Sequence, residues 1–465
     1  MYVKTLIQLV TAAAGIGPDK AANFTPGAAT NQAANFILPG ITYSAYGCGD
    51  ECQSAVSQAL PSDMLSVGLD FDHAFYATAP NFTTRLPPGE VLKFETLDAN
   101  DKLLVSSGTS LFRLQYTSRD LDGSVVPATA FVALPQARST RDNSSGGLPV
   151  VAWAHGTVGL FAGCAPSNGP GMYDYGTWQP LVQRGYAVVA TDYAGLGSNY
   201  TTHKYLSHRA HLEDVYHSVR AARRALGSHV LGDRWMAAGH SQGGGAAWKL
   251  AESALVRNDS AYLGTVALAP ATHVVDMFLD HLADNTPALL GYFTYLPFAL
   301  ARGLPSLNGS GLAAPPMQLR LRLAERAQVC IAGMFAMVKG LSKSEIIDEE
   351  GVARGRGQMR AWQREHSAAQ GDRSPAPVLV VQGEADTTVL MGTTRAAWRR
   401  ACEAGNEVHL RLYEGQEHSA TPEAAAPEWL GWIDERFYGR VGAGRNCTEL
   451  VRGLFAGNDT KAATE

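Results

Sequence analysis

Arg234-Trp-Met-Ala-Ala-Gly-His-Ser-Gln-Gly-Gly-Gly245 is the stretch from which the rest of the chain is best read. Met236–Ala238 has the continuous apolar character of a short buried strand, and Gly245–Leu255 has the Ala and Leu content of a helix. Between them stands Gly239-His-Ser-Gln-Gly243, a G-x-S-x-G turn. A strand-to-helix turn this tight strains the backbone at its central residue and lifts that side chain above the sheet. Gly239 and Gly243 follow from it, because a Cβ at either place would meet the neighbouring strand or helix. Ser241 becomes an exposed nucleophile beside the first amides of a helix, whose positive end favours an anion. Chance alone would supply about 0.3 copies of the pattern in a chain of this composition, so the flanking strand and helix carry the assignment.

The chain has 465 residues, enough for one large α/β domain with an insertion. Its formal net charge of -5, without a basic run, argues against nucleic acid as a partner. No apolar stretch reaches the roughly eighteen residues of a membrane span. Residues 1–17 have the shape of a short signal peptide, and 18–87 form an N-terminal arm. Eight of the fourteen Asn residues lie in N-x-S/T sequons, at Asn23, Asn81, Asn143, Asn199, Asn258, Asn308, Asn446 and Asn458. Random placement would give roughly two, which points to a glycoprotein of the secretory pathway. Six Cys fit an oxidising compartment. Cys48 and Cys52 either close a small loop or pair elsewhere, and a lone C-x-x-x-C is poor grounds for zinc.

From Val91 the pattern is β. Val91–Thr96, Ser110–Thr117 and, after the turn signal at Asp120–Gly123, Ser124–Leu134 alternate as strands, the last two forming a hairpin. Pro149–Ala154 and Ala187–Thr191 are continuous apolar runs of the parallel, buried kind. The first leads into His155-Gly-Thr157, a turn placed to offer the amide of Thr157 as an oxyanion donor alongside that of Gln242. Asp192, at the head of Asp192-Tyr-Ala-Gly-Leu-Gly197, reads as a loop-stabilising carboxylate, with the orienting of a catalytic group as the alternative. His208, His211 and His217 have no metal-ligand spacing and read as a solvated helix face. Tyr262–Ala269 and Pro377–Gln382 are further strands. A plain crossover needs about 30 residues, so most of the interval is an insertion, rich in helical apolar segments: Val275–Leu282, Leu289–Ala301, Gln318–Val338 and Met359–Glu365. It reads as a lid above the Ser edge of the sheet.

Asp386 follows the strand that ends near Gln382, and a triad needs an acid there to hold a His in one tautomer; Glu384 is the alternative. His418 follows the outer strand Glu407–Tyr413, in the place of a general base, and His409 within the strand reads as structural. The order Ser241, Asp386, His418 belongs to α/β-hydrolases and to neither common serine-protease order. The expected architecture is an α/β-hydrolase fold with a mostly parallel sheet: core residues 88–271 and 375–440, a helical cap at 272–374, and a tail at 441–465.

On these residues the chain resembles the lipase-A-type secretory lipases of fungi and actinobacteria, from roughly Pro88 to Cys447. Its most specific part is His155-Gly-Thr-Val-Gly-Leu-Phe-Ala-Gly-Cys-Ala-Pro-Ser167; Gly185–Gly197, Gly239–Gly244 and Trp432–Gly439 are similar too. The resemblance implies a capped hydrolase of carboxylic esters, on a small ester or acylglycerol substrate, without metal or organic cofactor and with lipid contact through the cap. It also implies that Cys164 pairs with Cys330 and Cys402 with Cys447. Two other functions fit the same residues: an acyltransferase using the triad on a bound alcohol or amine, and a binding module that has kept the fold without the chemistry.

Overall fold

The computed structural model describes residues 42–68, 70–97, 103–142, 146–280, 282, 287–307, 309–439 and 446–453. The signal-peptide reading of 1–17 and the sequons at Asn23, Asn143, Asn308 and Asn458 lie outside these residues. The first long element is a helix, α1 (Asp50–Val67), where the sequence suggested only an arm. Pro61 inside it and its weak apolar periodicity hid it. Cys48 and Cys52 are disulfide-bonded to each other just before and within its first turn.

Ten strands form one sheet: β1 (Val91–Leu97), β2 (Thr109–Arg119), β3 (Val125–Pro135), β4 (Leu148–Ala154), β5 (Ala187–Thr191), β6 (Leu231–His240), β7 (Tyr262–Leu268), β8 (Val378–Gly383), β9 (Val408–Tyr413) and β10 (Thr448–Arg452). Their order is β1-β2-β3-β5-β4-β6-β7-β8-β9-β10. β1, β2 and β3 form an antiparallel meander that joins β5 antiparallel, and every pair from β5 to β10 is parallel. All parallel strands therefore end on one edge, where open α/β sheets hold their ligands. β4, β5 and β8 are buried along their whole length, which explains their unbroken apolar sequences, whereas the alternation of β9 reflects its place near the edge. β10 lies in the stretch read as a tail; Thr448–Arg452 is short and half exposed, so its sequence carries little strand signal.

Helix α2 (His208–Leu226) precedes β6 and α3 (Gln242–Ala251) follows it. The reading of His208, His211 and His217 as a solvated face is wrong: all three are buried. The interval between β7 and β8 holds α4 (Val274–Asp280), α5 (Pro287–Phe293), α6 (Leu296–Gly303), α7 (Pro315–Ala327), α8 (Ile331–Ala336) and α9 (Glu349–His366). α9 lies against α2, with Arg209 paired to Glu365, and covers a face that looks polar in sequence. α9 also begins ten residues before the expected Met359, capped by Asp348, whose carboxylate accepts the Gly351 amide at 2.9 Å. Its three glycines had diluted the helical signal. The expected Gln318–Val338 helix is broken by Gln328 at φ 52°.

The helices between β7 and β8 are tied to the loop after β4. Cys164 is bonded to Cys330, Ile331 N donates to Val158 O at 2.8 Å, and Arg302 Nη1 donates to Leu160 O at 2.9 Å. Asp63 on α1 accepts the amides of Cys330, Ala332 and Gly333 at 2.8–2.9 Å, so the N-terminal helix fastens the same segment from outside. α10 (Met391–Glu403) and α11 (Ala426–Tyr438) complete the sheet's cover, and the Cys402–Cys447 disulfide joins α10 to the start of β10. Among the described residues no helix is long and apolar enough to cross a membrane.

Burial lowers His155 and His366 to about 4 and His208 and His240 to about 3, and holds His203 and His211 well below their ordinary value. Each is neutral when folded but takes a proton in the unfolded chain below pH ~6.5. The unfolded state then binds more protons, so these groups withdraw stability as pH falls from about 6.5 toward 4. Asp63 and Asp214, raised by burial to about 7, and Glu252, raised to about 8, act in the opposite sense but are fewer. The urea midpoint should accordingly be lower at pH 4.5 than at pH 7, and His211→Phe should shrink the difference. Equal midpoints at the two pH values would contradict this balance.

Candidate active site

Ser241 joins β6 to α3 at φ 57° and ψ -120°, a region that residues with a Cβ seldom occupy. Its amide donates to Leu268 O at 2.9 Å, and its carbonyl accepts the amides of Ala271 at 3.0 Å and Gly245 at 3.1 Å. The strained residue is thus held from β7, from the loop beyond it and from its own helix. The flanking glycines are forced by contact. A Cβ on Gly243 would fall on the carbonyl of Ala154 and 2.6 Å from that of His155, and one on Gly239 would lie 2.7 Å from Ala154 O. β4 pairs with β6 so that Ala154 stands beside Gly239, which brings the turn after β4 next to Ser241.

Asp386 and His418 lie just beyond the ends of β8 and β9, which are neighbours in the sheet. Asp386 is buried; its Oδ1 accepts the amides of Thr388 and Val389, each at 2.8 Å, and its Oδ2 accepts Gln382 Nε2 at 2.9 Å. His418 Nδ1 lies 2.7 Å from the same Oδ2. Burial pushes the Asp386 pKa up, but the His418 interaction and the two amides outweigh it and hold the carboxyl below its usual range. An ionised carboxylate only accepts, so the imidazole proton belongs on Nδ1 and Nε2 presents a lone pair. That Nε2 is buried and has no hydrogen-bond partner among the described residues.

The third component is the turn His155-Gly156-Thr157. A Cβ on Gly156 would stand 3.4 Å from Ser241 Cβ, so this backbone runs directly beside Ser241. The Thr157 amide donates to no described residue, and the Gln242 amide is the first of α3, without an intrahelical partner. Thr157 Oγ1 and Tyr205 OH are 2.7 Å apart, and Tyr173 OH donates to Thr157 O at 2.5 Å, which fixes the turn. Ser241 and Thr157 open onto a small, mostly apolar cavity. Val274, Met277, Phe278, Leu289, Phe293 and Leu296, all from α4–α6, supply most of its apolar wall.

Glu384, the alternative acid, is half-buried and makes no hydrogen bond to His418. His409 bonds Thr448 Oγ1 and Glu407 at the outer edge of the sheet. Asp192 is buried and accepts Thr129 Oγ1 at 2.6 Å, Ser167 N at 2.8 Å and the Ser167 hydroxyl, clamping the loop after β4 to that after β5. The sequons at Asn81, Asn199, Asn258 and Asn446 are exposed. Sequence reasoning missed Tyr175 and the part played by His240. Tyr175 OH lies 2.8 Å from His240 Nδ1, and His240 Nε2 lies 3.2 Å from His418 O. His240 fills an unspecified position of the G-x-S-x-G pattern and Tyr175 belongs to none, so spacing alone singles out neither contact.

A family model described as the alpha/beta hydrolase fold matches residues 155–424, more than half of the chain. Among solved structures, Candida antarctica lipase A in its closed state is 17% identical, with a TM-score of 0.63, covering 82% of this chain and 90% of that one. The rice cell wall degrading esterase LipA from Xanthomonas oryzae is 18% identical, with a TM-score of 0.57, covering 76% of this chain and 96% of that one. At such identities the likeness is one of fold. No curated protein matches the chain.

The glycine contacts give a direct check on the turn. Gly243→Ala should cost at least about 2 kcal/mol, because backbone carbonyls, which cannot move aside, occupy the space. Gly392→Ala in α10, where a Cβ would meet nothing within 4 Å, should be neutral or slightly stabilising. Equal midpoints for the two variants in urea unfolding would contradict the packing described.

Proposed function

The chain belongs to the α/β-hydrolase fold family, and on that premise we propose that it is a secreted serine hydrolase of carboxylic esters, of the lipase or esterase kind. The observation that carries the reading is the placement of Ser241, on its strained turn, at the same edge of the sheet as His418 and Asp386, which are themselves bonded at 2.7 Å. Ser241 Oγ attacks the ester carbonyl while His418 Nε2 takes its proton. Asp386 keeps the ring in the right tautomer and stabilises the cation that forms. The amides of Thr157 and Gln242 receive the tetrahedral oxyanion, worth roughly 3–4 kcal/mol per donor in comparable sites. The alcohol leaves with the proton from His418, and water, activated by the same ring, releases the acid from acyl-Ser241.

Residues 272–374 act in this reading as a cap whose first helices hold the acyl chain. The apolar wall from α4–α6 supports an alkyl rather than a charged acyl group. Three disulfides and four exposed sequons support passage through the secretory pathway. Both solved structures named above are of an ester-cleaving kind by description, a lipase and an esterase, which supports the same substrate class here.

The test is kinetic. The chain should hydrolyse p-nitrophenyl esters, with kcat/KM rising over a series of lengthening acyl chains until the cavity is filled. Ser241→Ala should lower kcat by about four orders of magnitude or more, as nucleophile removal does elsewhere. Near-normal turnover by Ser241→Ala would refute the mechanism, and preference for acetate over every longer acyl chain would refute the role given to the cap.

A further inference from the structure

His240 is the second residue of the G-x-S-x-G turn, and the mechanism above makes no use of it. It is buried, and both of its ring nitrogens are engaged. A carbonyl only accepts, so the contact of Nε2 with His418 O at 3.2 Å puts the ring proton on Nε2. Nδ1 is then an acceptor, and Tyr175 OH donates to it at 2.8 Å. The Tyr175 hydroxyl also packs against Gly156, in the turn that carries Thr157, where an added Cβ would stand 2.8 Å from it. The two imidazoles of His240 and His418 lie with centroids 4.6 Å apart and planes tilted by 40°. Two hydrogen bonds therefore run from Tyr175, packed against the turn that carries Thr157, through His240 to the backbone of His418.

The loop that carries His418 needs such a hold. Glu414, Gly415, Glu417 and Ala420 around it are exposed, and His418 is the buried residue among them. Its backbone is anchored on one side by Ala385 N donating to Gln416 O at 3.1 Å. On the nucleophile's side the anchor is His240, the residue covalently joined to Ser241. A base displaced by about 1 Å from its nucleophile can lose about a hundredfold in rate.

We propose that His240 and Tyr175 are positioning residues for ester hydrolysis: a neutral His240, its tautomer set by Tyr175, holds the main chain of His418 at a fixed distance from Ser241 and couples it to the oxyanion turn. The state of the imidazole fits this role. Burial, and next to it the neighbouring His418, lower the His240 pKa to about 3, although Asp386 opposes them, so the ring stays neutral throughout the working range. Tyr175, buried beside it, keeps its proton because burial raises its pKa.

The inference rests on the hydrolase reading, and the experiment separates the two. Steady-state kinetics with a soluble p-nitrophenyl ester would compare the parent chain with His240→Phe, His240→Gln and Tyr175→Phe, each checked by its thermal midpoint. His240→Phe keeps the ring and its stacking but loses both hydrogen bonds; kcat should fall about 30- to 100-fold with KM within about twofold. His240→Gln retains an N–H that reaches His418 O and should recover kcat to within about tenfold of the parent. Tyr175→Phe, which loses only the hydroxyl that sets the tautomer, should fall between them. Folded His240→Phe with parental kcat would overturn the proposal. So would a kcat in His240→Gln no higher than in His240→Phe at equal midpoints. Should His240→Phe fail to fold, Tyr175→Phe with parental kcat would overturn it instead. An inactive parent chain would sink the hydrolase reading itself.

Discussion

A single residue held at φ 57° and ψ -120° sets the terms for this site. Ser241 occupies that conformation because β6 must turn into α3 through this one residue, and because hydrogen bonds with Leu268, Ala271 and Gly245 over-determine its backbone. Everything near it is arranged to permit the turn. Gly239 and Gly243 leave room for the carbonyls of Ala154 and His155, and the pairing of β4 with β6 places those carbonyls there. The strain is local, and the surrounding parallel strands bear it.

The parallel register then does the rest. β6, β7, β8 and β9 are successive neighbours, so the residues just beyond their carboxyl ends meet above one edge, although Ser241, Asp386 and His418 are far apart in the chain. Each arrives with its own supports. Asp386 is charged in a buried place because two amides, Gln382 and His418 compensate its desolvation. The turn after β4 is fixed twice, by Tyr173 on the Thr157 carbonyl and by the disulfide from Cys164 to Cys330 a few residues later. That bond also couples the helical segment between β7 and β8 to the loop that carries Thr157.

Much of this was legible in the sequence because the determining constraints are local. Continuous apolar runs marked β4, β5 and β8, buried on both faces; alternation marked the β2–β3 hairpin and β9; and a Gly-x-Ser-x-Gly turn has few backbone solutions. What escaped was decided by long-range packing. His208 and His211 are polar in sequence, but His208 lies beside His366 of α9, which arrives some 140 residues later, and His211 stacks on Tyr193 and His203 from the segment after β5. α1 was masked by Pro61 and by a pattern that makes sense only once Asp63 is seen to receive three amides from the segment beginning at Cys330. Ser167, notable at first only as part of a resemblance, gains a physical role as the clamp on Asp192. Tyr175 had no local signature, because its meaning lies in a neighbour 65 residues away.

The claim on which the account turns is that Ser241 is the nucleophile and that His418 activates it. A p-nitrophenyl alkylphosphonate, which reacts only with an activated serine, tests it most directly when the labelled protein is digested and its peptides are weighed. The phosphonyl mass should appear on the peptide containing Ser241, stoichiometrically in the parent chain and far more slowly in His418→Ala. Label on any other serine, or equal labelling of the parent and His418→Ala, would contradict the account.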